Sequence, residues 1–299
     1  MTTHVRAALL MLASTLFFGL MAITIRYASK SLSTFEIAFF RNAFGLLALL
    51  PLLLRGGGGL PRTRQLPKYL LRSAIGIGSM LCGFWAIGHL PLSQAIALSY
   101  STPLFVTILA VFWLGELVRK RRWAAVLVGF IGVLVVVRPG TSGFSLGSLV
   151  AVSAAVFSAV VAIQIKQLSR VDPPDTIVFY TYAFWVPLSL APALFAWQWP
   201  DGRAWLWLVL TGLCGTGGQL LWTRALKLGD VSALTPISFM QLPVVTFAGW
   251  VLFDESVDAA TLLGAGIILG STFYIAHREA KLARQQRSQA PSEAVEPGN

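Results

Sequence analysis

Ser99, Tyr100, Thr102 and Pro103 stand together inside a long apolar stretch, Leu92 to Glu116, LSQAIALSYSTPLFVTILAVFWLGE. Hydroxyls, a phenol and a proline are residue types that can hold a polar solute within such a segment. Proline removes a backbone donor and clashes with the carbonyl four residues back, so the Ser99 carbonyl is expected to be freed as an acceptor. Ser99 and Thr102, three apart, share a helix face. About half a chain later, Val231 to Glu255, VSALTPISFMQLPVVTFAGWVLFDE, holds Ser238, Phe239, Gln241 and Pro243 in corresponding places, with the Phe239 carbonyl expected to be freed. Unsatisfied backbone at membrane depth is tolerated only under protein or against a watery cavity. Paired breaks therefore read as acceptors turned toward a solute and as points where a helix can rock. An ordinary kink closed by a neighbouring Ser or Thr gives the same sequence, as does polar packing between helices.

Arg41 is the one charged residue well inside an apolar segment. Burial there costs about 2.5 to 3.5 kcal/mol on insertion scales, so it needs a partner. Either it meets a carboxylate or phosphate of the solute, or it pairs with Glu36 or caps carbonyls to hold its own helix. Glu116 and Glu255 close the two repeated stretches, where a carboxylate is expected to meet the positive N-terminal end of the next helix rather than couple protons. Gly266 and Gly270, four apart, predict a close-packing face on the last helix, and Gly76, Gly78, Gly83, Gly212, Gly215, Gly217 and Gly218 read as packing too. Cys82 and Cys214 fall in apolar blocks, where a buried thiol is the usual role. No His, Cys or carboxylate cluster has metal-ligand or catalytic spacing, and no phosphate-cradling GxxxxGK[ST] loop is present. The reading is of no enzyme, no metal, no cofactor and no ATPase.

The elements that must position these residues follow from composition. Of 299 residues, 56% are hydrophobic and only 12% charged. Apolar blocks of about 20 residues match the length a helix needs to cross a bilayer. The blocks predict ten helices: Ala7 to Ile25, Thr34 to Leu54, Tyr69 to Gly88, Ser93 to Leu114, Trp123 to Val137, Gly147 to Gln167, Thr176 to Trp197, Ala204 to Leu226, Val231 to Phe253 and Ala259 to Ile275. Lys281 to Asn299, rich in Gln, Ser, Pro and Glu, is expected to be a disordered cytoplasmic tail.

The net charge of +11 does not point to nucleic acid, because the basic residues cluster between apolar blocks. With the N-terminus in the cytoplasm, eighteen Lys and Arg fall inside and four fall outside, Arg26, Lys30, Arg138 and Arg203. That bias predicts cytoplasmic termini. Sliding the chain by 140 residues lays Ile23, Ile25, Arg26, Ser29 and Lys30 on Ile163, Ile165, Lys166, Ser169 and Arg170. Two halves of five helices each, residues 1–139 and 140–280, must then enter the membrane in opposite senses, the architecture of many secondary transporters. A non-transporting scaffold or lipid-handling protein is the competing class.

The PLF…LGE and LPV…FDE blocks, FFRNAFG in the second helix and VGFIGVLVVVRPG closing the first half carry a family resemblance. Across about residues 7 to 277 the chain resembles the drug/metabolite transporter superfamily, in its ten-helix EamA-type branch. The resemblance implies an all-α integral membrane protein of a bacterial inner membrane, with two inverted five-helix bundles around a central cavity lined by the first, third and fourth helices of each half. Trp85, Gln219 and Trp222 lie on helices it places at the cavity. It implies a small polar or amphipathic solute as partner, amino-acid-like or, alternatively, of the S-adenosylmethionine or riboflavin type. Membrane lipid is the other partner, and the oligomeric state is open.

Overall fold

The computed structural model describes residues 3–55, 63–115, 120–141, 144–168, 171–172, 174–195, 197–228, 234, 237–256 and 258–289. Among these every regular element is a helix, as expected of a chain that must satisfy its backbone without water. They are α1 (Thr3–Ala28), α2 (Thr34–Arg55), α3 (Leu66–His89), α4 (Leu92–Ser99), α5 (Thr102–Leu114), α6 (Lys120–Val137), α7 (Leu146–Leu168), α8 (Pro174–Phe195), α9 (Gly202–Leu228), α10 (Gln241–Phe253) and α11 (Ala259–Gln289). Seven stretches among the described residues are long and apolar enough to cross a membrane, and Trp123–Val137 and Gln241–Phe253 are shorter apolar helices.

The expected fourth helix is two. Ser101 donates its hydroxyl to the Leu98 carbonyl at 2.6 Å, and Thr102 donates its hydroxyl to the Ser99 carbonyl at 2.8 Å. Side chains that take backbone carbonyls compete with helix continuation. Pro103 then falls in the first turn of α5, where its missing donor does no harm. The Ser99 carbonyl expected to be free is therefore occupied, by the neighbouring threonine. The Phe239 carbonyl is occupied as well, by the Leu242 N–H at 3.1 Å.

α1 packs along α9 and α3 along α7, while α2 lies against α8 and α9, and α6 against α11. The last pair approaches most closely through Gly132 and Gly264: a Cβ on Gly264 would stand 2.7 Å from the Gly132 carbonyl oxygen. The face expected at Gly266 and Gly270 instead meets nothing within 4 Å. That expectation is corrected, because spacing alone does not say which side of α11 meets a neighbour. The last helix continues to Gln289, beyond the Ile275 expected as its end. The stretch KLARQQRSQ is mostly Lys, Ala, Arg and Gln, all strong helix formers.

Two polar clusters mark opposite ends of α3. At its start, Thr63 and Tyr69 donate to Asp172 Oδ2 at 2.7 and 2.9 Å. At its finish, Arg26 reaches the carbonyls of Ile87, Gly88 and Leu90. Asp258 caps α11, accepting from the Thr261 N–H at 3.0 Å, and pairs with Arg138. Glu116 lies outside the described residues.

Candidate functional site

The two breaks meet. Tyr100, the first residue past α4, donates its hydroxyl to the Ser238 carbonyl at 3.0 Å, and its ring stands edge-on to Phe239 with centroids 5.3 Å apart. Thr272 of α11 closes the back of the junction by donating to the Tyr100 carbonyl at 3.3 Å. Ser99 is exposed where Leu92 to Leu98 are buried or half-buried, and Thr102 and Pro103 beside it are half-buried. Gln241, half-buried, packs toward Gly19 of α1. Pro243 points elsewhere, into an open apolar groove of about 390 Å³ shared with Phe247, Trp250 and Leu262. The site thus keeps Tyr100, Ser238 and Phe239 as one unit and leaves Pro243 outside it.

Arg41 lies on α2, 8% exposed, and reaches toward α8 and α9. Its Nη1 donates to Asn42 Oδ1 at 3.0 Å, and its guanidinium carbon sits 5.5 Å from the Tyr182 ring and 5.7 Å from the Trp185 ring. Room for it comes from Gly215, where a Cβ would stand 3.1 Å from Arg41 Nε and 3.0 Å from the Met21 sulfur. Trp185 is fixed in turn by donating its indole N–H to the Ser73 carbonyl at 3.2 Å, and Asn42 by donating to Ser189 Oγ at 3.2 Å.

Glu36 is not the partner of Arg41. It is fully buried and accepts from the Ser33 N–H and hydroxyl and from the Gln198 N–H at 2.6 Å. Residues five apart on a helix point about 140° away from each other. The S-x-x-E spacing of Ser33 and Glu36 is instead a capping box. Among the described residues no carboxylate pairs with Arg41. A buried guanidinium held by one amide and two ring faces keeps donors for a guest with acceptors on its edge.

Trp222 shares a face of α9 with Leu208, Thr211, Gly215 and Gly218, all buried, yet is itself 39% exposed. Gln219 is half-buried beside it. Trp85 stacks on His89 with centroids 4.1 Å apart and packs near Gly147, so it faces α7. Tyr182 and Trp185 escaped the sequence reading, since nothing in a string of aromatics on α8 singles out two that face an arginine on another helix.

The model of the EamA-like transporter family matches residues 5–138 and 145–276. The chain is 34% identical to the riboflavin transporter of Vibrio cholerae over 95% of its own length and 97% of that protein. It is 31% identical to an S-adenosylmethionine uptake transporter of Rickettsia felis, covering 88% and 90%. A pseudopaline exporter of Pseudomonas aeruginosa is 30% identical over 84% and 89%. A solved crystal structure with 23% identity superposes at a TM-score of 0.63 over 94% of this chain and 98% of the other.

Proposed function

The chain belongs to the EamA-like transporter family and is a multi-pass membrane transporter, and we propose that it carries a neutral, planar, cofactor-sized solute of the riboflavin class. The observation that carries this is Arg41, a buried cation without a carboxylate partner among the described residues, set against the faces of Tyr182 and Trp185. A ring system can stack on such faces while its edge carbonyls accept from the guanidinium. S-adenosylmethionine brings a carboxylate for Arg41 but also an ammonium and a sulfonium, a net positive charge that is unfavourable beside a buried cation in low dielectric. An amino acid brings a carboxylate that suits Arg41 but also an ammonium group needing an acceptor. The similarity to a riboflavin transporter over nearly the whole chain agrees with the neutral reading.

The solute is moved by alternating access between two inverted five-helix halves in a bacterial inner membrane. Helix packing supports the repeat: α1 lies on α9 as α7 lies on α3, which are equivalent pairs with the halves exchanged. Support for the inversion comes from where equivalent helices finish. α1 finishes beside the end of α3 at Arg26, whereas Asp172, just past α7, meets the start of α3. Tyr100 and Phe239 join the two breaks across the halves, so the halves can rock there.

The test is counterflow by the purified protein in liposomes, with labelled riboflavin, S-adenosylmethionine and a neutral amino acid offered separately. Riboflavin is expected to exchange and the other two to stay at background. Exchange of the amino acid alone overturns the reading in favour of an amino-acid-like solute. No exchange of any, by folded protein, turns it toward a non-transporting role.

A further inference from the structure

Glu255 was expected to serve the helix that follows it, α11. It serves two other elements instead. Its Oε1 pairs with Arg26 Nη2 of α1 at 2.9 Å, and its Oε2 accepts the Leu92 N–H at 2.7 Å, the first of α4. Helix starts carry orphan N–H groups and a positive dipole end, so a carboxylate is favourable there. Arg26 completes the junction by spending Nη1 on the carbonyls of Ile87, Gly88 and Leu90, at 3.0, 2.5 and 3.2 Å, where α3 ends. One ion pair thereby ties the ends of α1, α3 and α10 to the start of α4.

Aromatic rings roof the pair. Tyr27 stacks on Trp207 at 4.5 Å and meets Phe253 at 4.8 Å, and Lys30 Nζ lies 5.1 Å from the Tyr27 ring and 5.3 Å from that of Phe253. All of these contacts except that of Lys30 with Tyr27 join the first half of the chain to the second. At the opposite end of α3 lies an opening of about 700 Å³, lined by Thr63, Arg64, Gln65, Val171, Asp172 and Tyr180.

We propose that Arg26 and Glu255 are the latch of the Arg26 end: paired, they hold that end shut, and they must part before solute can pass it. The contacts suit that task. The Arg26 and Glu255 side chains are 20% and 12% exposed, so water stands ready to solvate each charge as the pair opens. A transporter needs its two states within a few kcal/mol of each other, and a partly hydrated ion pair meets that condition. The glycine-lined contact of α6 with α11 does not, since separating it would expose packed apolar surface. Arg26 and Glu255 are positioning residues, acting on the path rather than on the solute. The inference rests on the transporter reading, yet it does not depend on which solute is carried.

Two measurements on the full chain test it, with Cys82 and Cys214 replaced by Ser. In the first, Ser99→Cys is the reporter for a membrane-impermeant maleimide applied from the Arg26 side. Glu255→Gln keeps an acceptor for the Leu92 N–H but removes the charge, and it is expected to speed labelling about tenfold. An unchanged rate in folded Glu255→Gln protein overturns the latch. In the second, Arg26→Cys with Glu255→Cys is joined by a reducible bis-methanethiosulfonate, and riboflavin counterflow is measured. Flux is expected to stop on cross-linking and return on reduction, and full flux through cross-linked protein overturns the latch. Labelling needs no moving solute, so it decides the latch even where riboflavin itself is not carried.

Discussion

At the scale of single residues the decisive balance is that of Arg41. Placing a charge at membrane depth costs about 2.5 to 3.5 kcal/mol on insertion scales, and ring faces return about 0.5 to 2 kcal/mol. Among the described residues an amide is its one hydrogen-bonded partner and no carboxylate offsets that cost, so the fold has little to lose with Arg41. Arg41→Leu is therefore expected to leave the melting temperature unchanged or raised while riboflavin counterflow falls at least tenfold. Arg41→Lys, which keeps the charge but loses the planar fork, is expected to fall between the two. A melting temperature lowered in step with flux would mark Arg41 as structural. How much of this was legible differs from residue to residue. The lone charge in FFRNAFG announces Arg41, whereas Glu36 looks like its partner in the sequence until Ser33 is seen to hold it in a capping box. Tyr182 and Trp185 come from α8, more than 140 positions away, and no local pattern connects them to Arg41.

Helices were readable where the cause is local and unreadable where it lies in a neighbour. The run SYSTP carries its own break, since hydroxyls at 99, 101 and 102 take carbonyls and proline opens the next helix. The partner of that break was legible too, because the repeat lays Tyr100 on Phe239 and the rings do meet. Close packing was not: Gly266 and Gly270 have the spacing but face open space, while Gly264 meets Val136 and the Gly132 carbonyl. A Cβ at 264 would lie 2.5 Å from a Val136 methyl and 2.7 Å from backbone oxygen, and backbone has no rotamer by which to yield. Gly264→Val is expected to destabilise the protein by about 1 to 3 kcal/mol through overpacking. Gly266→Val is expected to change it by less than about 0.5 kcal/mol. Thermal melting of the two in one detergent compares them directly, and equal losses would mean that the α6 to α11 contact is looser than its geometry.

For the whole molecule the question is which way each half runs. The charge bias predicts the membrane faces, but it says nothing of which end is closed, because closure depends on side chains that meet across the halves. Ser31 and Val171 are equivalent positions 140 residues apart, each just past the first helix of its half, and both are exposed. Parallel halves would put them on one membrane face; inverted halves put them on opposite faces. Arg26 at one end of α3 and Asp172 at the other favour opposite faces, since a helix of 24 residues rising 1.5 Å per residue spans the full hydrocarbon core. With Cys82 and Cys214 replaced by Ser, Ser31→Cys is expected to react with an impermeant maleimide in intact cells, and Val171→Cys only after permeabilisation. Labelling of both in intact cells removes the inverted architecture. Labelling of Val171→Cys alone keeps the inversion but reverses the orientation drawn from the lysines and arginines, and with it the face on which the Arg26 latch opens.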